Sequence, residues 1–172
     1  MDAHTARSRS AGFSMVEVIV VVAVLAVIAA LVVPNFRGQD TTKLRSAARL
    51  LAADLDTAKA ESITHADDLR LVVFDTTDHT YHVAAASDTA TPITNPFDGR
   101  PYLVDFGTGR ASALSGVTIQ SVDLDGDDEL GFGLYGELDQ TAAATVTLAA
   151  GGRTVTLTVD PATGEAAIGP IQ

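Results

Sequence analysis

Ala11-Gly12-Phe13-Ser14-Met15-Val16-Glu17 runs directly into VIVVVAVLAVIAALVV, residues 18–33, and then Pro34. Residues 13–33 hold a single charge, Glu17. As a helix they would span roughly 32 Å, enough to cross a hydrocarbon core of about 30 Å. Arg7 and Arg9 precede the run and an acidic chain follows it. The positive-inside rule therefore places the N-terminus in the cytoplasm and the chain beyond about Pro34 outside. A secretory signal peptide also begins with basic residues and an apolar stretch. Its core is shorter, about 7–15 residues, and closes on an Ala-x-Ala-like site. Here Ala29-Ala30-Leu31 continues into more valine. A plain membrane anchor leaves Glu17 unexplained, because a carboxylate inside an apolar span costs some 2.5–3.5 kcal/mol if charged near the bilayer centre. A cut between Gly12 and Phe13 would set a new α-amine about one helical turn from Glu17, where the two charges could neutralise each other or a neighbouring copy's.

The segment Ala11-Gly12-Phe13-Ser14-Met15-Val16-Glu17, its apolar continuation and Pro34 resemble the class III signal of type IV pilins and type II secretion pseudopilins. The resemblance implies that a prepilin peptidase in the inner membrane cuts after Gly12 and methylates Phe13. It also implies that Glu17 aligns a subunit with its neighbour's amine during assembly. Residues 1–12 are then a leader outside the fold. Without it the chain carries 9 basic and 21 acidic side chains, a formal charge of −12.

Beyond the anchor the apolar rhythm changes. Leu44, Ala47, Ala48, Leu51, Ala52, Leu55, Ala58 and Ser62 recur at three- and four-residue steps, one face of an amphipathic helix over 34–65. Lys43, Arg45, Arg49, Asp54, Asp56, Lys59 and Glu61 fall on the remaining surface, read as a solvated face with an Asp56–Lys59 pair at i,i+3. Pro34 and Gly38 mark a hinge between the two helical halves. From residue 66 to 172 the pattern turns to strands, expected over 69–75, 80–85, 102–106, 117–122, 130–135, 144–149, 154–159 and 166–168. Gly151-Gly152 predicts a tight hairpin between two of them, and Asp160-Pro161-Ala162-Thr163-Gly164 a second turn. Residues 87–101, with three prolines, read as a long loop. The expected fold is α+β: a long N-terminal helix, transmembrane in its first half and amphipathic in its second, packed on an antiparallel β head.

This arrangement is similar to the minor pseudopilin H and FimT-like group (GspH/FimT). The similarity implies a minor pseudopilin, a structural subunit of a type II secretion pseudopilus that helps export folded proteins. It would be held in a bacterial inner membrane by one pass, with the N-terminus cytoplasmic and the head periplasmic. Its implied partners are the prepilin peptidase and other pseudopilins or pilins in a filament. A minor type IV pilin or competence pseudopilin shares the same N-terminus, and a membrane-anchored periplasmic binding domain is the alternative of another class.

Candidate chemistry elsewhere is sparse. The chain has no cysteine, which excludes disulfides, thiolate metal sites and thiol catalysis. A formal charge of −11 argues against a surface built to neutralise nucleic-acid phosphates, so no nucleic-acid partner is expected. Asp123, Asp125 and Asp127, around Gly126, could offer oxygen ligands to calcium, although the loop lacks the EF-hand glycine and glutamate positions. A solvated acidic turn is the competing reading, and no other cofactor is expected. His65, His79 and His82 sit beside no recognisable nucleophile or phosphate loop. No enzymatic activity is expected.

Overall fold

The structure is a computed structural model that describes residues 14–172, apart from the side chains of 29–38. It divides into two units between Arg37 and Gly38. One helix, α1 (Met15–Thr64), contributes to both. In the first unit, every described side chain from Ser14 to Ile28 is exposed, with Met15 at 81%. Among the described residues no helix is long and apolar enough to cross a membrane. The expected span over 13–33 lies partly outside them, at Phe13 and at the side chains of 29–33. The hinge expected at Pro34 and Gly38 likewise rests on side chains outside the described set, and the helical assignment continues through both positions.

The second unit holds the rest of α1 and nine strands. These are β1 (Arg70–Asp75), β2 (Thr80–Ala85), β3 (Asp88–Pro92), β4 (Leu103–Asp105), β5 (Thr118–Asp123), β6 (Glu129–Gly131), β7 (Ala144–Ala150), β8 (Arg153–Val159) and β9 (Ala166–Ile168). A 3-10 segment, Gly109–Leu114, lies between β4 and β5. The strands form two antiparallel sheets. In the first the order is β3-β2-β1-β6, with β4 also paired to β2; in the second it is β5-β7-β8-β9. Leu44, Ala47, Ala48, Leu51, Leu55 and Ala58 of α1 join one core with Val72, Tyr81 and Val83 of the first sheet and Val146, Leu148 and Leu157 of the second. The helical periodicity of these residues therefore becomes a single buried stripe touching both sheets, and burial of each leucine or valine contributes roughly 1.5–3 kcal/mol.

The β7–β8 hairpin closes on Gly151 and Gly152, both left-handed at φ +59° and +76°, the geometry that suits the strands' twist and that glycine adopts without penalty. The expected 160–164 turn is built by Asp160, whose Oδ1 accepts from Ala162 N (2.9 Å) and Thr163 N (3.0 Å). Gly164, at φ +62°, packs so closely that a Cβ there would lie 2.1 Å from Gly136 O.

Three expectations are corrected. Residues 87–101 are not all loop: Asp88–Pro92 forms β3, because pairing through Ala84–Pro92 and Ala85–Asp88 overrides a sequence with no apolar alternation. The strand expected over 130–135 stops at Gly131, and a turn follows in which Gly133 N donates to Glu137 O (2.7 Å) and Gly136 takes φ +83°. Asp54 does not lie on a solvated face. It is 3% exposed. The Asp56–Lys59 pair does form, at 3.5 Å.

A fragment beginning near Arg37 is expected to be a soluble monomer with mixed helix and strand by circular dichroism; aggregation would contradict the two-unit division. Gly164→Ala should lower the stability of that fragment by about 2 kcal/mol or more in urea denaturation, combining the left-handed backbone with the clash against Gly136.

Candidate functional site

Gly12 and Phe13, the expected cleavage and methylation positions, lie outside the described residues. Glu17 lies in the first turn of α1, exposed, and its N–H donates to Ser14 O at 3.0 Å. Ser14 starts the helix by also accepting from Val16 N through Oγ at 3.3 Å. A carboxylate in a first helical turn faces the positive end of the helix dipole. Glu17 thus stands, exposed, at the head of an apolar helical segment.

The acidic loop after β5 does not assemble as a ligand set. Asp125 and Gly126 turn the chain at φ +64° and +110°, Leu124 bridges Asp127, and Asp127 Oδ1 accepts from Glu129 N at 3.1 Å. Among the described residues no three carboxylates or imidazoles come together as a metal-holding group. The loop caps a turn instead.

The histidines are likewise separated. His65 Nδ1 lies 2.9 Å from Glu61 O at the end of α1, and His82 Nε2 lies 2.9 Å from Thr89 O. His79 lies just outside β2, which holds His82. It occupies the β1–β2 turn at φ +55°, with Nδ1 3.1 Å from Ile119 O of β5.

The one buried ionic constellation among the described residues centres on Asp54. Tyr81 Oη donates to Asp54 Oδ2 at 2.6 Å and Tyr102 Oη to Oδ1 at 3.0 Å. Arg110 completes a bidentate fork, Nη1 to Oδ1 at 3.0 Å and Nη2 to Oδ2 at 2.5 Å. The same guanidinium lies 4.6 Å from the centre of the Tyr102 ring. Four donors from β2, the residue before β4 and the 3-10 segment thus converge on one helical carboxylate. Sequence reasoning missed it. The available signal was the position of Asp54 between Leu51 and Leu55 on the same turn of the helix as the buried stripe.

Burial raises the Asp54 carboxyl above its ordinary pKa, against the lowering effect of the Tyr81 hydroxyl, Arg110 and Tyr102. The folded head therefore holds this proton more tightly than the unfolded chain does. The stability so conferred is complete below the unfolded pKa and is lost as pH rises through the folded one. Asp68 and Asp75 run the other way. Hydrogen bonds from the Ser87 hydroxyl and backbone lower the first, and the backbone N–H groups of Asp78 and Thr77 lower the second, so what they add is lost as pH falls. Burial also keeps the Tyr81 hydroxyl protonated well above the ordinary tyrosine range.

Asp54→Ala, which leaves two tyrosine hydroxyls and a half-buried guanidinium without their acceptor, should destabilise the head by about 3–5 kcal/mol in urea melts. In a carboxyl carbon-13 NMR titration, Asp54 is expected to titrate above the ordinary aspartate value and Asp68 and Asp75 below it.

The prokaryotic N-terminal methylation motif matches residues 7–33. No curated protein matches the chain. Two crystal structures of the type IV minor pilin FimU of Pseudomonas aeruginosa (strain PAO1) are similar in fold. One gives a TM-score of 0.51 at 18% identity over 74% of this chain and 93% of FimU. The other gives 0.53 at 19% identity over 76% and 90%. The chain thus joins an N-terminal methylation motif to a fold similar to that of FimU, an N-terminal helix followed by an antiparallel β head.

Proposed function

We propose that this chain is a minor structural subunit of a membrane-rooted, type IV pilus-like filament, cleaved after Gly12, methylated at Phe13 and anchored by residues 13–33. One observation carries the reading: the described side chains from Ser14 to Ile28 are exposed, almost all apolar, and interrupted only by Glu17 inside the matched motif. So long an uncovered apolar helix requires lipid or other helices around it. Glu17 requires a cation, which the α-amine released at Phe13, in the same or a neighbouring copy, would supply. Close packing of Ala- and Val-rich helices and this charge pair would hold subunits in register. The pilin-like fold supports a structural rather than an enzymatic role, with the acidic head projecting on the periplasmic side.

In its finer form the proposal is a GspH-type pseudopilin of a type II secretion system, resting on the pattern of helix, strands and the 160–164 turn. A minor pilin is the second reading, and the likeness to FimU favours it. Partners in either case are a prepilin peptidase and other pilin-like subunits.

The N-terminal mass of the protein from membranes of cells with and without prepilin peptidase tests the class. A chain starting at methylated Phe13 only when the peptidase is present is the expected result, and an intact Met1 in both would sink the proposal. Glu17→Ala should still be processed but fail to co-purify with other filament subunits. Deleting the gene should halt release of folded substrates to the medium if the secretion reading holds; loss of surface pili with secretion intact would select the minor pilin.

A further inference from the structure

The crossover from β4 to β5, residues 107–116, is joined to the remainder of the head in an unusual way. Gly107, Gly109 and Gly116 bound it at φ +109°, +48° and +88°, left-handed conformations that glycine adopts without penalty. Its backbone hydrogen bonds are local: Gly107 N to Ala111 O (3.0 Å), Ala111 N to Thr108 O (2.9 Å) and, at its edges, Thr108 N to Asp105 O and Val117 N to Leu114 O. Only Ala111 and Leu114 are buried; Ser112, Ala113 and Ser115 are exposed. Two cationic tethers reach α1, the Arg110 fork on Asp54 and Lys43 Nζ on Ser115 O at 2.8 Å. The second is exposed and weak. The first is the strong one.

We propose that residues 107–116 are a strap latched to α1 by Arg110 and Asp54, and that protonation of Asp54 in mildly acidic surroundings releases the strap while both sheets stay folded. The argument rests on how differently the two partners bear neutralisation. Asp54 is buried at 3% exposure, and once protonated it stays comfortably in place, hydrogen-bonded to Tyr81 and Tyr102. Arg110 keeps its charge at any relevant pH, and its side chain is already 30% exposed. With no anion left to hold it, the guanidinium gains more from water than from the interior, and it sits on a segment whose backbone hydrogen bonds are local and whose core contacts are Ala111 and Leu114. The groups facing Asp54 are Tyr81 from β2, Tyr102 ahead of β4 and Arg110 from the 3-10 segment. Both tyrosines are held neutral across this range, so Asp54 is the group that switches. The burial that lifts its pKa brings the switch toward mild acid. Release is local because the same protonation removes a buried charge and so does not weaken the head as a whole.

Hydrogen exchange on the full-length protein in detergent, read by mass spectrometry and corrected for intrinsic rates, tests this. Amides of 107–116 should exchange roughly tenfold faster or more in Asp54→Asn at neutral pH, and in the unaltered protein in mild acid, with β1, β7 and β8 unchanged. Arg110→Gln should give a strap that is open at both pH values, abolishing the acid response. Unchanged strap protection in mild acid, or protection lost only together with the sheets, overturns the proposal. If Asp54→Asn does not fold, the pH comparison between the unaltered protein and Arg110→Gln decides by itself.

Discussion

A single carboxylate ties the head together. Asp54 is carried by α1, yet its four hydrogen-bond donors come from β2, from the residue preceding β4 and from the 3-10 crossover. Removing an aspartate from water is favourable only when its lone pairs are filled and a counter-charge is near, so each of these elements has one position on the helix at which the burial is tolerable. The apolar stripe from Leu44 to Ala58 supplies most of the free energy of packing, but oil-like contacts alone allow sliding. The Asp54 cluster sets the register of the helix against the first sheet. Its aromatic partners extend into the core, where Tyr81 lies between Phe74 and Phe106 at ring separations of 5.9 and 6.0 Å.

The two units divide the labour of the chain. Residues 14–28 keep an apolar surface uncovered, which only an environment outside this chain can satisfy. The second unit satisfies itself: its core is continuous across both sheets, its C-terminus is pinned by reciprocal bonds between Thr154 and Gln172 at 3.0 and 3.1 Å, and its tightest turns use glycine where a side chain would collide. The strap fits this division, since it connects the two sheets yet lies on the helix through a contact that a proton can undo.

Much of this is legible in the sequence. The 21-residue apolar run with its one carboxylate is plain in the sequence, and the processing signal is what its resemblance to the class III signal implies. The buried face of the second helical half follows from its period, and the β7–β8 hairpin from Gly151-Gly152. What stayed hidden shares one cause. β3 is polar and lacks alternation, so only its partner β2 makes it a strand. The acidic loop has the composition of a cation site, but the backbone directs Asp127 into its own turn.

The sequence by itself determined the long apolar run, the amphipathic stripe, the tight turns and the α+β class, because each rests on local periodicity or on the conformational freedom of single residues. Only the tertiary structure decided that Asp54 is buried rather than solvated and that Arg110, 56 positions away, is its partner. A charge reads as exposed unless its counter-charge is in view, and that counter-charge arrives only when strands and crossover fold back over the helix.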